Sequence, residues 1–150
     1  LPSLPIYHIE CPQEKVISIS TDTIVGITGY ESAMKFSTGD TIIHPNFTFE
    51  SNSIELTDSA KIILKEILLV LQSNPVLKLK IHGHTDNVGD FRENLALSEN
   101  RALSVKNYFI SKGITAVRLE SKGYGETRPL SPNNSEVSRA LNRRVEFIGE

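Results

Sequence analysis

The spacing of apolar residues predicts a first long helix after Thr57. Thr57 suits the N-cap position, because its side-chain oxygen can accept a hydrogen bond from the first helical turn. The Asn74-Pro75 pair ends the helix, since the residue before a proline disfavours the α region. The apolar positions that would form its core-facing stripe are 60, 63, 64, 67, 68 and 71.

A second long helix is predicted to begin after Asp90, which has the spacing of a capping box with Glu93. It runs to about Lys112, and Gly113 lies where a left-handed residue commonly terminates a helix. The stripe expected to face the core consists of Leu95, Ala102, Val105 and Phe109.

Strict alternation over residues 76–84 predicts a strand between these helices, with one buried face. Leu77, Leu79 and Ile81 would point into the core. We expect the opposite face, with Lys78, Lys80 and His82, to be exposed to solvent.

Three further strands complete the pattern, and Gly- or Pro-rich turns separate them. They are a short strand around Phe47 and Phe49 after Pro45, a strand over Ala116–Lys122 before the turn at 123–129, and a strand over 143–148 with Val145 and Phe147 inward. A short helix is expected near the end of the polar segment 131–142.

The predicted order over residues 41–150 is β-α-β-α-β-(short α)-β. Long helices between short strands must cover one face of a single sheet, so we expect an α+β fold, a two-layer α/β sandwich with a mixed sheet. Residues 1–40 differ, with short alternating pieces at Lys15–Ser20 and Thr23–Thr28 between turn residues. They are interpreted as a β-rich N-terminal extension or the end of a preceding domain.

Composition narrows the possible functions. The 150 residues are 39% hydrophobic and 23% charged, which is typical of a globular domain with a real core. A net charge of −2 argues against a nucleic-acid surface, and no apolar run is long enough for a transmembrane helix. The N-terminus lacks the pattern of a signal peptide, so we expect any export signal to lie upstream of this chain. The single cysteine, Cys11, permits no internal disulfide and is interpreted as an inert thiol.

Candidate chemistry gathers where the second strand ends. Thr85 and Asp86 follow it directly, and Asn94 and Arg101 point almost the same way because they lie seven residues apart on a helix. We expect Asn94 and Arg101 to be half-covered, at the edge of the apolar stripe, where they can face a ligand. An acid and a guanidinium on opposite walls of a pocket would match a zwitterionic amino acid. The alternative is structural: Asp86 caps a turn and Thr85 bonds its own backbone. Arg101 would then form a surface salt bridge with Asp90, Glu93 or Glu99.

Catalysis is the alternative to binding. His82 and His84 form an HxH pair that, with Asp86, could hold a metal ion for hydrolysis. No G-x-S-x-G elbow is present, and no pair of carboxylates marks an obvious hydrolytic cleft. The sequence therefore favours binding over catalysis and predicts no cofactor and no metal.

Five segments in order carry a family resemblance over residues 41–150. They are FTFESNSIEL, IHGHTDNVG, N-x-x-L-S-x-x-R-A, GYGE and NRRVEF. Together they resemble the OmpA-like peptidoglycan-binding domain. The resemblance implies a non-catalytic periplasmic module that binds the diaminopimelate residue of the peptidoglycan stem peptide. It would anchor an outer-membrane or periplasmic assembly to the cell wall. A docking module for other cell-envelope proteins is the alternative.

The resemblance also implies a role for each site residue. Asp86 would take the ammonium group of the ligand and Arg101 its carboxylate. Asn94 and Thr85 would line the same pocket, Arg143 would lie at its rim, and Leu97 would form an apolar wall. Asn52 would be a further ligand contact, but it is the weakest of these assignments because its segment FESNS departs from the Asp-rich equivalent of many relatives.

Overall fold

The computed structural model of the protein describes residues 16–17, 36–45, 47 and 54–150. Within these ranges it contains five strands and three α-helices. They are β1 (Val16–Ile17), β2 (Thr41–Pro45), α1 (Asp58–Ser73), β3 (Leu79–Gly83), α2 (Phe91–Ser111), β4 (Leu119–Gly123), α3 (Glu136–Asn142) and β5 (Arg144–Gly149), with a 3₁₀ turn at Ala116–Arg118 before β4.

The strands form one mixed sheet in the order β1-β2-β5-β3-β4. β1 pairs with β2, and β3 with β4, in parallel, whereas β5 runs antiparallel to both β2 and β3. This arrangement confirms the predicted fold class, a mixed sheet covered by helices on one face.

Residues before 41 also take part in this sheet. Val16 and Ile17 pair with Thr41 and Ile42, and Phe36 is buried in the core. The division of the chain into an extension and a main domain at residue 40 stays a prediction.

Both long helices begin at the predicted caps. The side chain of Thr57 accepts a hydrogen bond from the backbone N–H of Ala60, and Asp90 accepts from Arg92 and Glu93. Gly113 has a φ of 95°, the left-handed conformation expected just beyond α2. No helix in the described part of the chain is long and apolar enough to cross a membrane.

The core lies between the helices and the sheet. Inward residues alternate along the central strands, and burying one large aliphatic or aromatic side chain contributes about 1.5–3 kcal/mol. The largest fully buried apolar side chains are Phe109, Phe147, Ile42, Leu64, Ile67, Leu71, Leu79, Ile81, Val105 and Val145.

The strand predicted around Phe47 lies earlier in the chain. β2 precedes it, and Phe47 is buried outside any strand. The ladder between β2 and β5 ends at the Pro45–Arg144 pair because β5 begins at Arg144. Phe49, Asn52, Cys11 and most of the two predicted N-terminal strand pieces lie outside the described residues.

The strand predicted over Ala116–Lys122 is shorter than expected. Its first three residues form the 3₁₀ turn, and the Arg118 guanidinium donates to the carbonyls of Leu77, Leu71 and Asn74. These bonds tie the turn to the end of α1, so pairing with β3 starts only at Leu119. The last strand likewise begins at Arg144, one residue later than predicted.

The inward stripe of α2 also contains polar residues that the apolar pattern did not include. Leu95 is only half-buried, whereas Asn94 and Ser98 are buried. The reason is a very close approach between α2 and the ends of β3 and β4. A Cβ atom at Gly83 would lie closer than 3.0 Å to the carbonyl oxygen of Ser98, and one at Gly123 would overlap the backbone of Glu99.

We expect Gly83→Ala to destabilise the protein by about 2–3 kcal/mol, because the methyl group would force α2 away from the sheet. The measurement is chemical denaturation. Gly113→Ala is the control: it introduces a methyl group into open space and costs only the left-handed backbone strain of about 1 kcal/mol. Equal losses in the two variants would contradict close packing at Gly83.

Candidate functional site

The site is built on the loop that follows β3. Backbone hydrogen bonds hold this loop to both neighbouring strands. The N–H of His84 donates to the carbonyl of Arg144, and the N–H of Thr85 donates to the carbonyl of Gly125. The loop therefore has a fixed position between the ends of β4 and β5.

Asp86 is buried in this loop and uses both carboxylate oxygens. Oδ1 accepts a hydrogen bond from the backbone N–H of Val88 at 3.0 Å. Oδ2 lies 2.7 Å from Nη1 of Arg143, whose other terminal nitrogen pairs with Glu136. The hydrogen bonds from Arg143 to Asp86 and Glu136 raise the pKa of Arg143 and lower that of Glu136. Asp86 thus shapes the turn and places a carboxylate against Arg143.

Asn94 and Thr85 support the loop in this structure. The side-chain amide of Asn94 donates to the carbonyls of Asp86 and Val88 and to Oε2 of Glu126. The Thr85 hydroxyl donates to the carbonyl of Asp86 at 2.8 Å. The Thr85 contact fits the structural alternative. Both side chains are buried, and Asn94 is more deeply covered than the half-covered position predicted for it.

Arg101 lies beside the same acid. A small cavity is lined by Arg101 and Arg143 and, in addition, by Phe47, Gly83, His84, Arg144 and Val145. Burial and then the nearby Arg143 lower the pKa of Arg101, whereas Asp86 acts in the opposite direction. The guanidinium groups of Arg101 and Arg143 on this cavity can attract an anion, which would compete with the carboxylates of Asp86 and Glu136 that already pair with Arg143.

The structure thus brings Asp86, Arg101 and Arg143 together. Leu97 is half-buried and does not line the cavity. Sequence reasoning did not single out Glu136, which shares Arg143 with Asp86, or Glu126, which accepts from Asn94. Glu126 lies in the GYGE segment, and that motif could have marked it as a site residue. Glu136 lies in a polar segment without a motif that could have marked it.

The expectation that His82 and the HxH pair face solvent was wrong. His82 is 8% exposed and His84 is 3% exposed. The His84 ring stacks on Tyr124, with 5.4 Å between ring centroids, and the Arg128 guanidinium lies over the Tyr124 ring at 3.9 Å. The aromatic ring and the cation above it therefore cover this face of the sheet.

A buried ionic cluster adjoins the histidines. Glu146 lies 3.5 Å from Nε2 of His84, and its other oxygen pairs with Arg144, which also donates to the carbonyl of Arg128. Burial opposes ionisation of Glu146, but contacts with His84 and Arg144 outweigh it and lower the pKa to about 2. Burial lowers the pKa of both histidines, so they are neutral at pH 7.

The metal-dependent alternative gains no support. Within the described ranges, no group of three or more His, Cys, Asp or Glu side chains is placed to hold a metal ion. The His84 ring contacts Glu146 and Tyr124, and the His82 ring contacts the same tyrosine at 4.9 Å between ring centroids.

Comparison with known proteins assigns the class of this fold. Residues 48–143 match the model of the OmpA family, so the chain belongs to that family, whose domains bind peptidoglycan and anchor proteins to the cell wall. A structural neighbour is a putative MotB like protein from Desulfovibrio vulgaris. Its TM-score is 0.67 at 34% identity, over 73% of this chain and 72% of that one.

Curated relatives include the peptidoglycan-associated lipoprotein of Pseudomonas putida. It is 34% identical over 128 residues, which cover 85% of this chain and 72% of that protein. The photosystem I P700 chlorophyll a apoprotein A2 of Gloeobacter violaceus is 36% identical over 140 residues, covering 87% of this chain but 16% of that protein. The chain spans only part of its curated relatives: in three of them it matches 16%, 62% and 26% of their lengths.

Stability should fall as the pH drops below about 6.5. The folded-state pKa of His82 and His84 is lower than that of an unfolded histidine, so the unfolded chain binds more protons. The contribution of these two histidines to the free energy of unfolding is fully present above the pKa of an unfolded histidine, about 6.5. It is lost as the pH decreases from that value toward the folded-state pKa. Below about 4.5, protonation of Glu146 in the unfolded chain adds a further loss.

We expect the melting temperature to decrease by several degrees between pH 7 and pH 5. His82→Gln should weaken that dependence, since it removes one of the two buried imidazoles. Lys80→Gln, a change on the same strand of a group that stays charged over this range, is the control. An identical pH slope in the parent and in His82→Gln would exclude His82 as a contributor.

Proposed function

We propose that this chain binds peptidoglycan non-covalently, through the diaminopimelate residue of the stem peptide. One observation carries the proposal: Asp86, Arg101 and Arg143 converge where β3 ends, and the two arginines line one cavity. A free amino acid terminus offers an ammonium group and a carboxylate, the two charges that complement this set.

The electrostatics favour an anion between the arginines. Burial and then repulsion from Arg143 lower the pKa of Arg101. A ligand carboxylate placed against both guanidinium groups would relieve that repulsion. It would also form charge-assisted hydrogen bonds, which are stronger than neutral ones.

The ammonium group of the ligand would contact Asp86. In the structure Asp86 already pairs with Arg143, so the incoming ammonium must share this carboxylate or displace Arg143 from it. Glu136 lies on the other side of the Arg143 guanidinium and would keep a partner for it after such a displacement. Thr85 and Asn94 would act by holding the loop that carries Asp86.

The cellular role follows from this binding. The chain would be periplasmic and would tie an outer-membrane or periplasmic assembly to the cell wall without catalysing a reaction. The peptidoglycan-associated lipoprotein among its relatives supports this proposal. A wall polymer presents many copies of the same stem peptide, so modest affinity for each would suffice.

Arg101→Gln and Asp86→Asn should each reduce binding to purified peptidoglycan at least tenfold, because each removes a charge that pairs with the ligand. Asn retains an oxygen for the Val88 N–H, so the loop should persist. The measurement is co-sedimentation with insoluble peptidoglycan over a range of protein concentrations.

Lys61→Gln and Asp58→Asn are the matched controls. They make the same kinds of change at an exposed ion pair on α1 and should leave binding unchanged. Thermal unfolding of all four variants separates loss of the site from loss of the fold. Parent-like binding by both site variants would show that the ligand lies elsewhere.

A soluble stem tripeptide ending in diaminopimelate should displace the protein from peptidoglycan. The same tripeptide ending in lysine should compete at least tenfold less well. It lacks the side-chain carboxylate, so the charge-assisted hydrogen bonds proposed between that carboxylate and Arg101 or Arg143 cannot form. Competition at equal concentrations measures the difference. Equal competition would refute recognition of the side-chain carboxylate.

A further inference from the structure

One edge of the sheet has no neighbour among the described strands. β4 is the last strand in the order, and β3 pairs with it along one side only. A strand edge of this kind presents backbone N–H and C=O groups that can pair with another chain.

The direction of these groups follows from the β3 pairing. The N–H of Tyr124 donates to the carbonyl of Gly83, toward β3. Backbone groups alternate along a strand, so those of Glu120 and Lys122 also point toward β3. Those of Leu119, Ser121 and Gly123 then point outward, with Ser121 at the centre.

The charges on this edge are self-complementary. Glu120 and Lys122 are both exposed, and they flank Ser121 on the sheet face away from the helices. If a second copy pairs antiparallel with Ser121 opposite Ser121, Glu120 of each copy lies opposite Lys122 of the other. These would be non-hydrogen-bonded positions, where side chains lie closest, and opposite charges there are favourable.

An apolar surface borders the same edge. The backbone of Glu99 on α2 lies directly against Gly123. Leu103 and Ile110 follow four and eleven residues later, so they lie on the same side of the helix as Glu99. They are 45% and 39% exposed, and a second copy paired at β4 would bring its own Leu103 and Ile110 toward them.

We propose that two copies of this chain form a two-fold symmetric dimer, in which the outer edges of β4 pair antiparallel about Ser121 and the α2 flanks at Leu103 and Ile110 come together. A second copy is the occupant that the charges favour, because Glu120 and Lys122 match their own reversed order. One five-residue strand per copy and two apolar side chains make a small interface, so the dimer is weak and reversible. This proposal does not depend on which ligand the Asp86 site binds.

Charge reversal tests the proposed register. Glu120→Lys alone and Lys122→Glu alone each place like charges opposite one another twice and should weaken dimerisation about tenfold or more. The double variant E120K/K122E restores opposite charges at both positions and should dimerise as the parent does. Mixing the two single variants should produce heterodimers, since every facing pair is then attractive.

Sedimentation equilibrium of the full chain measures association from about 10 μM to about 1 mM, a range suited to a weak interface. Ser121→Pro should also abolish the dimer, because it removes the outward N–H at the centre, and proline is tolerated where a strand N–H faces solvent. A parent that stays monomeric throughout this range overturns the proposal. So does a dimer that the single charge reversals leave unchanged, or a double variant that fails to recover.

Discussion

The close approach of α2 to the ends of β3 and β4 is the constraint on which the site depends. It requires glycine at positions 83 and 123, because any side chain there would overlap the helix backbone at Ser98 or Glu99. The buried hydroxyl of Ser98 accepts a hydrogen bond from the N–H of Gly125, which fixes the turn after β4 against the helix. With α2 at this distance, Asn94 reaches the loop carrying Asp86, and Arg101 lies two turns further along beside Arg143.

Different interactions on the two faces of the sheet hold the loop that carries Asp86. On the helix side, apolar packing sets the distance between β3 and α2. On the other side, His84 lies among Glu146, Tyr124 and Arg144, in a cluster whose charges are compensated within the protein. His84 is two residues before Asp86, so the loop is held from both sides. Such over-determination suits a binding site, because a rigid loop loses little conformational freedom when a ligand arrives.

Sequence periodicity predicted the helices well because their caps and stripes are local signals. The structure has Thr57 and Asp90 as helix caps and Gly113 in the left-handed conformation, as predicted. The α+β order follows because long helices between short strands must cover one face of a sheet. The alternating pattern wrongly predicted that His82 is exposed, because such a pattern shows which face of a strand is apolar and not whether the polar face is covered. Tyr124 and Arg128 cover that face, and they lie more than 40 residues away in sequence. No local pattern around β3 contains that information.

The site shows the same division between local and non-local signals. Helical phase predicted that Asn94 and Arg101 share one side of α2. In the structure Asn94 contacts the loop that carries Asp86, and Arg101 lines the cavity beside Arg143. Helical phase could not show that the Asn94 amide donates to the loop, or that Arg143 already pairs with Asp86. In each case the partner lies in another segment of the chain. Asp86 therefore has two partners that differ in kind: the Val88 N–H, which it must keep to hold the turn, and Arg143, which a competing cation can replace. A carboxylate with one fixed and one exchangeable partner can admit a ligand without reorganising its loop, and this would separate the binding role proposed for Asp86 from its structural one.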